Sequence, residues 1–279
     1  MNMNISESNF EILRDFIYNF CGIFFNTGRK YFLESRVTRR MDARGMKDFA
    51  EYYKLLRNGI DGPGELKLLL IEITTNETCF FRNTQQIAAF ERQFLTELVE
   101  TKKKIGFRKI RIWSAGSSSG EEAYTFAMIM LEKRASLLKD WVIEIVGTDI
   151  SEKVLAQARE GVYNNYAVRN MPEFYRKKYF KEGPAGTFSL TPEVKKQVTF
   201  TNLNLFDDSR MVFMKSFDII ICSNVLIYFD AAAKTKIVQH YYNNLQQYGY
   251  FYLGQSESLH GVNDKFKTVH FPGGFAYKK

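Results

Sequence analysis

Across residues 1–72 the apolar positions recur at the spacing of helices with one buried face. In "NFEILRDFIYNFCGI" that spacing selects Phe10, Leu13, Ile17 and Phe20, and Gly22 is placed to close the helix. "YFLESRVTRRMDARG" joins a few apolar anchors to dense arginine and stops at Gly45. "DFAEYYKLLRNG" follows, with Asp48 as its N-cap and Gly59 as its end, and "ELKLLLIEI" comes after the turn "DGPG". This pattern predicts a small all-helical domain over residues 1–73, followed by a linking segment and helix over 74–107.

The period changes at residue 108. "KIRIWSAG" reads as a strand, followed by a helix from Glu121 to about Lys139. "WVIEIVGTDI" is a second strand ending at Asp149, and Ser151 caps the helix "SEKVLAQAREG". "FDIIICSN" has the unbroken apolar character of a strand buried on both faces; "DAAAKTKIVQHYYNNL" is helical and "GYFYLGQSE" is a late strand. Strands alternating with helices predict an α/β fold with a doubly wound, mostly parallel sheet over residues 108–279. The stretch from Phe180 to Leu205 breaks the alternation. Gly183, Pro184 and Gly186 mark a turn, and "TFSLT" and "VTFTNL" alternate like short strands, so a small β insertion is expected over about residues 180–201.

Hydrophobic residues at 45% and charged residues at 25% are ordinary globular values and argue against bulk disorder. No apolar run reaches the ~20 residues that span a bilayer; the longest, "FDIIICSNVLIYF", is broken by Ser223 and Asn224. "MNMNISESNF" lacks a basic start followed by an apolar core, so no secretory leader, no membrane insertion and a cytoplasmic location are expected. Cys21, Cys79 and Cys222 are widely spaced and form no CxxC, which predicts reduced, mostly buried thiols. His240, His260 and His270 lack metal-ligand spacing, and no metal is expected.

The formal net charge of +8 admits an acidic protein, nucleic acid or an anionic membrane surface as partner. Its placement is more informative, because residues 27–47 carry seven Lys/Arg against two acids. Arg36, Arg39, Arg40 and Arg44 recur at spacings that gather them on one helix face. A solvated basic face without a partner is the plainer alternative.

The stretch "RIWSAGSSSGEEAYTFAM" (Arg111 to Met128) holds the most suggestive chemistry: strand, glycine turn, helix. Such a turn commonly cradles a phosphate at the helix N-terminus. Here Gly116-x-x-x-Gly120 stands in place of a full GxGxxG, and Glu121 and Glu122 occupy the end where an anion would sit. Two carboxylates repel a pyrophosphate and suit a ligand with positive charge or with hydroxyl and amine donors. S-adenosylmethionine fits, with a sulfonium, an α-amino group, a ribose and no phosphate. Acids in a first turn also stabilise a helix by roughly 0.3–1 kcal/mol, and Ser118 with Glu121, or Ser119 with Glu122, can form a capping box. Asp149 adds weight to the ligand reading, since an acid at the end of the second strand can accept from both ribose hydroxyls.

Further stretches extend the pattern. "TTNETCFFRN" (Thr74 to Asn83), "WSAGSSSGEEAYTFAM", "GTDISEKVLAQAREGVY", "NLNLFD", "FDIIICSNVLIYFD" and "GYFYLGQSESL" resemble, in order and spacing, the chemotaxis receptor methyltransferases, the CheR family. The likeness runs over nearly the whole chain. It implies a Rossmann-like methyltransferase domain that uses S-adenosylmethionine, with S-adenosylhomocysteine as product, to methylate glutamate side chains on the cytoplasmic helices of chemoreceptors. The resemblance also implies roles. Asn76, Thr78 and Arg82 line the cofactor pocket from the segment between the domains, and Gly116 lies in its glycine turn. Glu122 and Asp149 share the cofactor's amino-acid end and ribose, Asn204 and Leu205 flank the adenine, and Ser223 and Asn224 contact the cofactor after the fourth strand. Tyr228 lies near the transferred methyl, Arg82 orients the incoming carboxylate, and Arg36, Arg39, Arg40 and Arg44 meet the receptor helices. A monomer with no nucleic-acid partner is expected.

The chain departs from the family's usual pattern at Ser223, where Arg is common, and at Ser117 and Ala123, where Cys and Pro are common. In some members the β insertion docks a tethering peptide from the receptor C-terminus. Here it is short, with "KEGPAG" as its Gly-rich turn, and no strong tether binding is expected. Two other readings stay open. Ser223 motivates a scaffold or sensor that binds cofactor with weak or no transfer, and the basic charge motivates an RNA or DNA methyltransferase. A nicotinamide oxidoreductase is disfavoured by the two glutamates at the helix start.

Overall fold

The computed structural model describes residues 5–279; the first residues of "MNMNISESNF", on which the leader reading partly rests, lie outside the described residues. Helices α1 (Glu7–Cys21), α2 (Lys30–Ala43), α3 (Phe49–Asn58) and α4 (Gly62–Ile73) share one core. The buried stripe of α1 is Phe10, Leu13, Ile17 and Cys21. Phe20 is 43% exposed, because an i+4 step from Ile17 carries the stripe to Cys21 instead. Gly22 takes the left-handed cap (φ +74°) and donates its N–H to Tyr18 O at 2.7 Å. The "DGPG" segment is not a separate turn, since Gly62 opens α4 with proline in its first turn.

Residues 84–104 form a rod of α5 (Thr84–Ala89), a π-helical turn (Phe90–Phe94) and α6 (Leu95–Lys104). There follow β1 (Lys109–Ala115), α7 (Glu121–Lys133), β2 (Val142–Asp149), α8 (Glu152–Glu160) and β3 (Val162–Asn164). Next come α9 (Glu173–Tyr179), β4 (Phe180–Glu182), β5 (Thr187–Leu190), α10 (Pro192–Lys195), β6 (Val198–Asn202) and α11 (Asp208–Met211). The chain ends with β7 (Phe217–Cys222), α12 (Ala231–Asn244), β8 (Leu245–Leu253), β9 (Lys267–Phe271) and β10 (Gly274–Lys278). Helix α7 stops short of Lys139 because Leu138 turns into the core and donates its N–H back to Lys133 O.

The main sheet has seven strands in the order β6-β2-β1-β7-β8-β10-β9. The first five are parallel; β10 runs antiparallel to β8, and β9 antiparallel to β10. Strand β7 is central and buried at every position, as its apolar run predicts. The α/β architecture is as expected, with one correction to the insertion. "VTFTN" is β6, the edge strand of the main sheet, paired in register with β2 from Ile145–Val198 to Asp149–Asn202. The small sheet is instead β3-β5-β4, which recruits Val162–Asn164 from beyond the expected boundary.

Helix α1 and the segment after it reach the loop that follows β7. Phe24 N–H donates to Tyr228 O at 3.0 Å, Ile23 bridges Phe229, and Tyr18 Oη donates to Asp230 at 3.1 Å. Among the described residues no helix is long and apolar enough to cross a membrane.

Candidate cofactor and acceptor site

Strands that wind outward in both directions from one adjacent pair leave a crevice beyond their C-terminal ends, where strand order reverses. The reversal falls between β1 and β7, and a cavity of about 320 Å³ opens there, in the size range of small-molecule sites. Asn76, Thr78, Arg82, Gly116, Glu122, Asp149, Asn204, Leu205, Ser223, Asn224 and Tyr228 all line this one cavity.

The turn after β1 is shaped by its neighbours. Gly116 has φ +73°, and a Cβ there would stand 2.4 Å from Val225 Cγ2, so only glycine fits. Ser118 is also left-handed (φ +50°) and donates its N–H to Asp149 Oδ2 at 2.9 Å. Asp149 Oδ1 accepts Ser151 N–H at 2.9 Å, so this one carboxylate ties the turn after β1 to the turn after β2. A carboxylate has about four acceptor positions, which leaves others for a ligand. Burial raises the Asp149 pKa, and the Ser151 and Ser118 N–H groups oppose the rise.

Neither expected capping box forms. Gly120 holds the N-cap of α7, Ser118 Oγ donates to Asn76 O at 3.0 Å, and Ser119 Oγ donates to Glu121 at 2.8 Å. Glu122 accepts Ser114 Oγ at 2.7 Å, and the exposure it retains opens onto the cavity. Burial pushes its pKa up to about 7, against the Ser114 and Ser223 hydroxyls and Arg82, while the nearby Glu257 adds to the rise. Ser223 Oγ is itself buried and completes no hydrogen bond of normal geometry.

The linking segment is fastened at several points. Phe80 N–H donates to Ala167 O at 2.9 Å and Phe81 N–H to Thr125 Oγ1 at 3.2 Å. Phe81 is left-handed (φ +54°), which turns its ring into the core and leaves the exposed Arg82 at the rim of the cavity, where Nη1 donates to Glu77 O at 2.9 Å. Tyr228 Oη donates to Thr75 O at 3.3 Å. Asn204 bridges the domains: Nδ2 donates to Phe20 O at 2.6 Å while Oδ1 accepts Phe206 N–H at 3.0 Å.

Arg36, Arg39, Arg40 and Arg44 of α2 do not line this cavity. Arg40 Nε and Nη2 each donate to the Glu65 carboxylate at 2.9 Å, and that carboxylate is fully buried. Tyr52 Oη and Arg44 Nε reach the same group at 3.0 and 3.3 Å, and Arg44 also meets Asp61. Arg40 is therefore a structural partner of α4. Arg36 stacks on Phe32 with its guanidinium carbon 4.8 Å from the ring centre, and Arg39 lies 3.7 Å from Glu72.

Comparison with known proteins matches residues 8–74 to the family described as CheR methyltransferase, all-alpha domain, and residues 76–275 to CheR methyltransferase, SAM binding domain. The chain belongs to the CheR methyltransferase family. A chemotaxis protein methyltransferase of Borreliella burgdorferi is 35% identical over 94% of this chain and 92% of its own length. A chemotaxis protein methyltransferase of Vibrio parahaemolyticus is 35% identical over 99% of this chain and 98% of its own length, and chemotaxis protein methyltransferase 2 of Vibrio cholerae is 32% identical over 99% and 94%. Membership makes the chain an S-adenosylmethionine-dependent methyltransferase of chemotaxis.

Two features of this CheR-family site are absent from the sequence reading. Arg29 lines the cavity, with its guanidinium carbon within 6.0 Å of the Phe25, Phe32 and Tyr228 ring centres. Glu257 stands behind the wall. The run of basic residues from Arg29 to Lys47 was the available signal for the first; the second shows only through long-range packing.

Proposed function

We propose that this CheR-family chain transfers the methyl group of S-adenosylmethionine to glutamate side chains on the cytoplasmic helices of chemoreceptors. The polarity of the cavity carries the reading: acids (Glu122, Asp149) line its interior, while at its outer edge two arginines (Arg29, Arg82) outnumber one exposed acid (Glu77). An acidic interior suits a cationic cofactor, and a cationic rim suits an anionic acceptor. The hydroxyl of Ser117 is buried in the same wall without a hydrogen-bond partner, and that of Ser223 faces Glu122 without a hydrogen bond of normal geometry, which fits a ligand rich in polar atoms.

In this reading Glu122 and Asp149 share the α-amino end and the ribose, and Asn204 and Leu205 flank the adenine. Asn76 and Thr78 reach in from the linker, Ser223 and Asn224 from the end of β7, and Gly116 lets the backbone come close. The bound cofactor supplies an electrophilic methyl on a sulfonium. A glutamate acceptor is already ionised at neutral pH, so the chain need not take a proton from it. Its residues align the carboxylate and exclude water. Arg82 orients the acceptor through charge-assisted hydrogen bonds, and Tyr228, braced on Thr75 and lying beside Arg29, walls the reacting centre. Arg36, Arg39 and Arg44 steer the acidic receptor helix toward the rim.

The test is incubation with methyl-labelled S-adenosylmethionine and a receptor cytoplasmic fragment. Label on the fragment, released as methanol by mild base, supports the proposal. Label on RNA, or cofactor binding with no label on any receptor fragment, overturns it.

A further inference from the structure

Behind the cavity β7 and β8 end side by side, and one carboxylate joins them. Glu257, on the turn after β8, is 5% exposed. Its Oε2 accepts the main-chain N–H of Asn224 at 2.6 Å and that of Gly254 at 2.9 Å. Asn224 lines the cavity in the left-handed region (φ +61°), a conformation asparagine tolerates but that needs its surroundings to hold it. Gly254 is fitted to the same carboxylate, for a Cβ there would lie 2.8 Å from Glu257 Oε2 and 3.0 Å from Asn224 N.

The second oxygen, Oε1, is buried and has no hydrogen-bond partner. A neutral amide oxygen could accept the same two N–H groups, though less strongly than a carboxylate, and it would leave the wall without the carboxylate's charge. That charge is felt across the floor of the site, where it raises the pKa values of Glu122, Cys222 and Tyr241.

We propose that Glu257 is a positioning residue of the cofactor site: one oxygen holds the Ser223–Asn224 turn in shape, and its charge makes the inner end doubly acidic, selecting a ligand with a cationic end. This rests on the placement of S-adenosylmethionine given above. The groups facing Glu122 are the Ser114 hydroxyl from β1, the Ser223 hydroxyl from the turn after β7, Arg82 from the linker, and the protonated Cys222 and Tyr241 from β7 and α12. The hydroxyls and Arg82 favour the Glu122 carboxylate, whereas burial and Glu257 oppose it. Removing the charge of Glu257 therefore lets Glu122 ionise at lower pH.

The experiment is calorimetric titration of the full chain with S-adenosylhomocysteine, and with methylthioadenosine, which lacks the amino-acid end, between about pH 5.5 and 8.5. Wild type should prefer S-adenosylhomocysteine and lose affinity for it as pH falls through the region of the Glu122 pKa. Glu257→Gln keeps an acceptor for both N–H groups. Its pH midpoint should move down, and its preference for the ligand with the ammonium should narrow several-fold. Glu257→Ala should lose about tenfold in affinity at every pH. A Glu257→Gln profile that overlays wild type, or a Glu257→Ala variant that binds like wild type, overturns the proposal. If Glu257→Ala fails to fold, the Glu257→Gln profile decides alone. Absence of binding by wild type overturns the cofactor placement itself, and the proposal with it.

Discussion

Arg40 of α2 and Glu65 of α4 are joined by two parallel hydrogen bonds of 2.9 Å, with the carboxylate wholly out of solvent. A basic helix face that looks uniform in sequence thus contains Arg40 and Arg44 tied to α4 and its entry, Arg36 half-buried against Phe32, and Arg39 turned outward. Arg40→Ala leaves a buried carboxylate short of its main partner and should destabilise the protein by about 3 kcal/mol, read as a lowered midpoint of urea unfolding. Arg39→Ala should change stability little, and should lower kcat/KM for a receptor fragment in a salt-dependent way. The reverse pattern would remove Arg39 from acceptor recognition.

Asp149 joins two turns and lines the cavity, so its loss should register twice. Asp149→Ala leaves the N–H groups of Ser118 and Ser151 without acceptors. Affinity for S-adenosylhomocysteine should fall by about 1–3 kcal/mol, and the melting temperature should fall as well. Calorimetric affinity equal to wild type would take Asp149 out of the site.

Arg82 should separate binding from turnover. Arg82→Ala is expected to leave S-adenosylhomocysteine affinity within a few-fold of wild type and to lower methyl transfer by about 10- to 100-fold, the scale of a lost charge-assisted contact. Arg82→Lys should recover little, because an ammonium cannot reproduce the planar fork. Equal losses in affinity and rate would make Arg82 a cofactor ligand only.

The raised pKa of Glu122, about 7, gives stability a definite pH dependence. Between the ordinary carboxylate value and this one the folded state binds more protons than the unfolded state, so stability declines as pH rises through that window. Glu122→Gln removes the liability. It should stabilise the ligand-free protein at pH 8 by up to about 3 kcal/mol and show no such gain near pH 4. Unfolding midpoints measured across that range check the sign.

Gly116→Ala should disable the site at the turn after β1. The added methyl must meet Val225 at 2.4 Å and hold φ at +73°. The left-handed conformation alone costs about 1–2 kcal/mol, and relief of the clash moves Val225 and the neighbouring Asn224. Loss of S-adenosylhomocysteine binding with retained helical circular dichroism is the expected result.

Strand β7 was readable because burial at every position leaves an almost unbroken apolar run. Strands β1, β2 and β8 carry charged or polar residues in their first halves and were readable from the β-branched and aromatic residues that follow and from the glycine or aspartate near their ends. Strand β6 misled because it lies at a sheet edge, where "VTFTN" alternates as a hairpin strand would. The hairpin of β9 and β10 went unread because "KTVHF" and "GFAYK" are short and only partly buried. The lining of the cavity was legible from strand-end position at Gly116 and Asp149, and through the family resemblance at Asn224. It was illegible where a role depends on a distant partner. Glu65 is 25 positions from Arg40, and Glu257 is 33 positions from Asn224, so no local period connects them.

The bridge from Ile23 and Phe24 to Phe229 and Tyr228 has a practical consequence for building hybrids of this protein. The helical domain is not a detachable head on a string, because its segment between α1 and α2 is hydrogen-bonded to the same loop that carries Tyr228. A chimera that borrows the first domain from a relative must therefore take the junction as a unit. Phe20 to Phe25 would have to travel with a matching Asn204 and Leu226–Phe229, or the graft would fold as two sound halves with a misaligned seam.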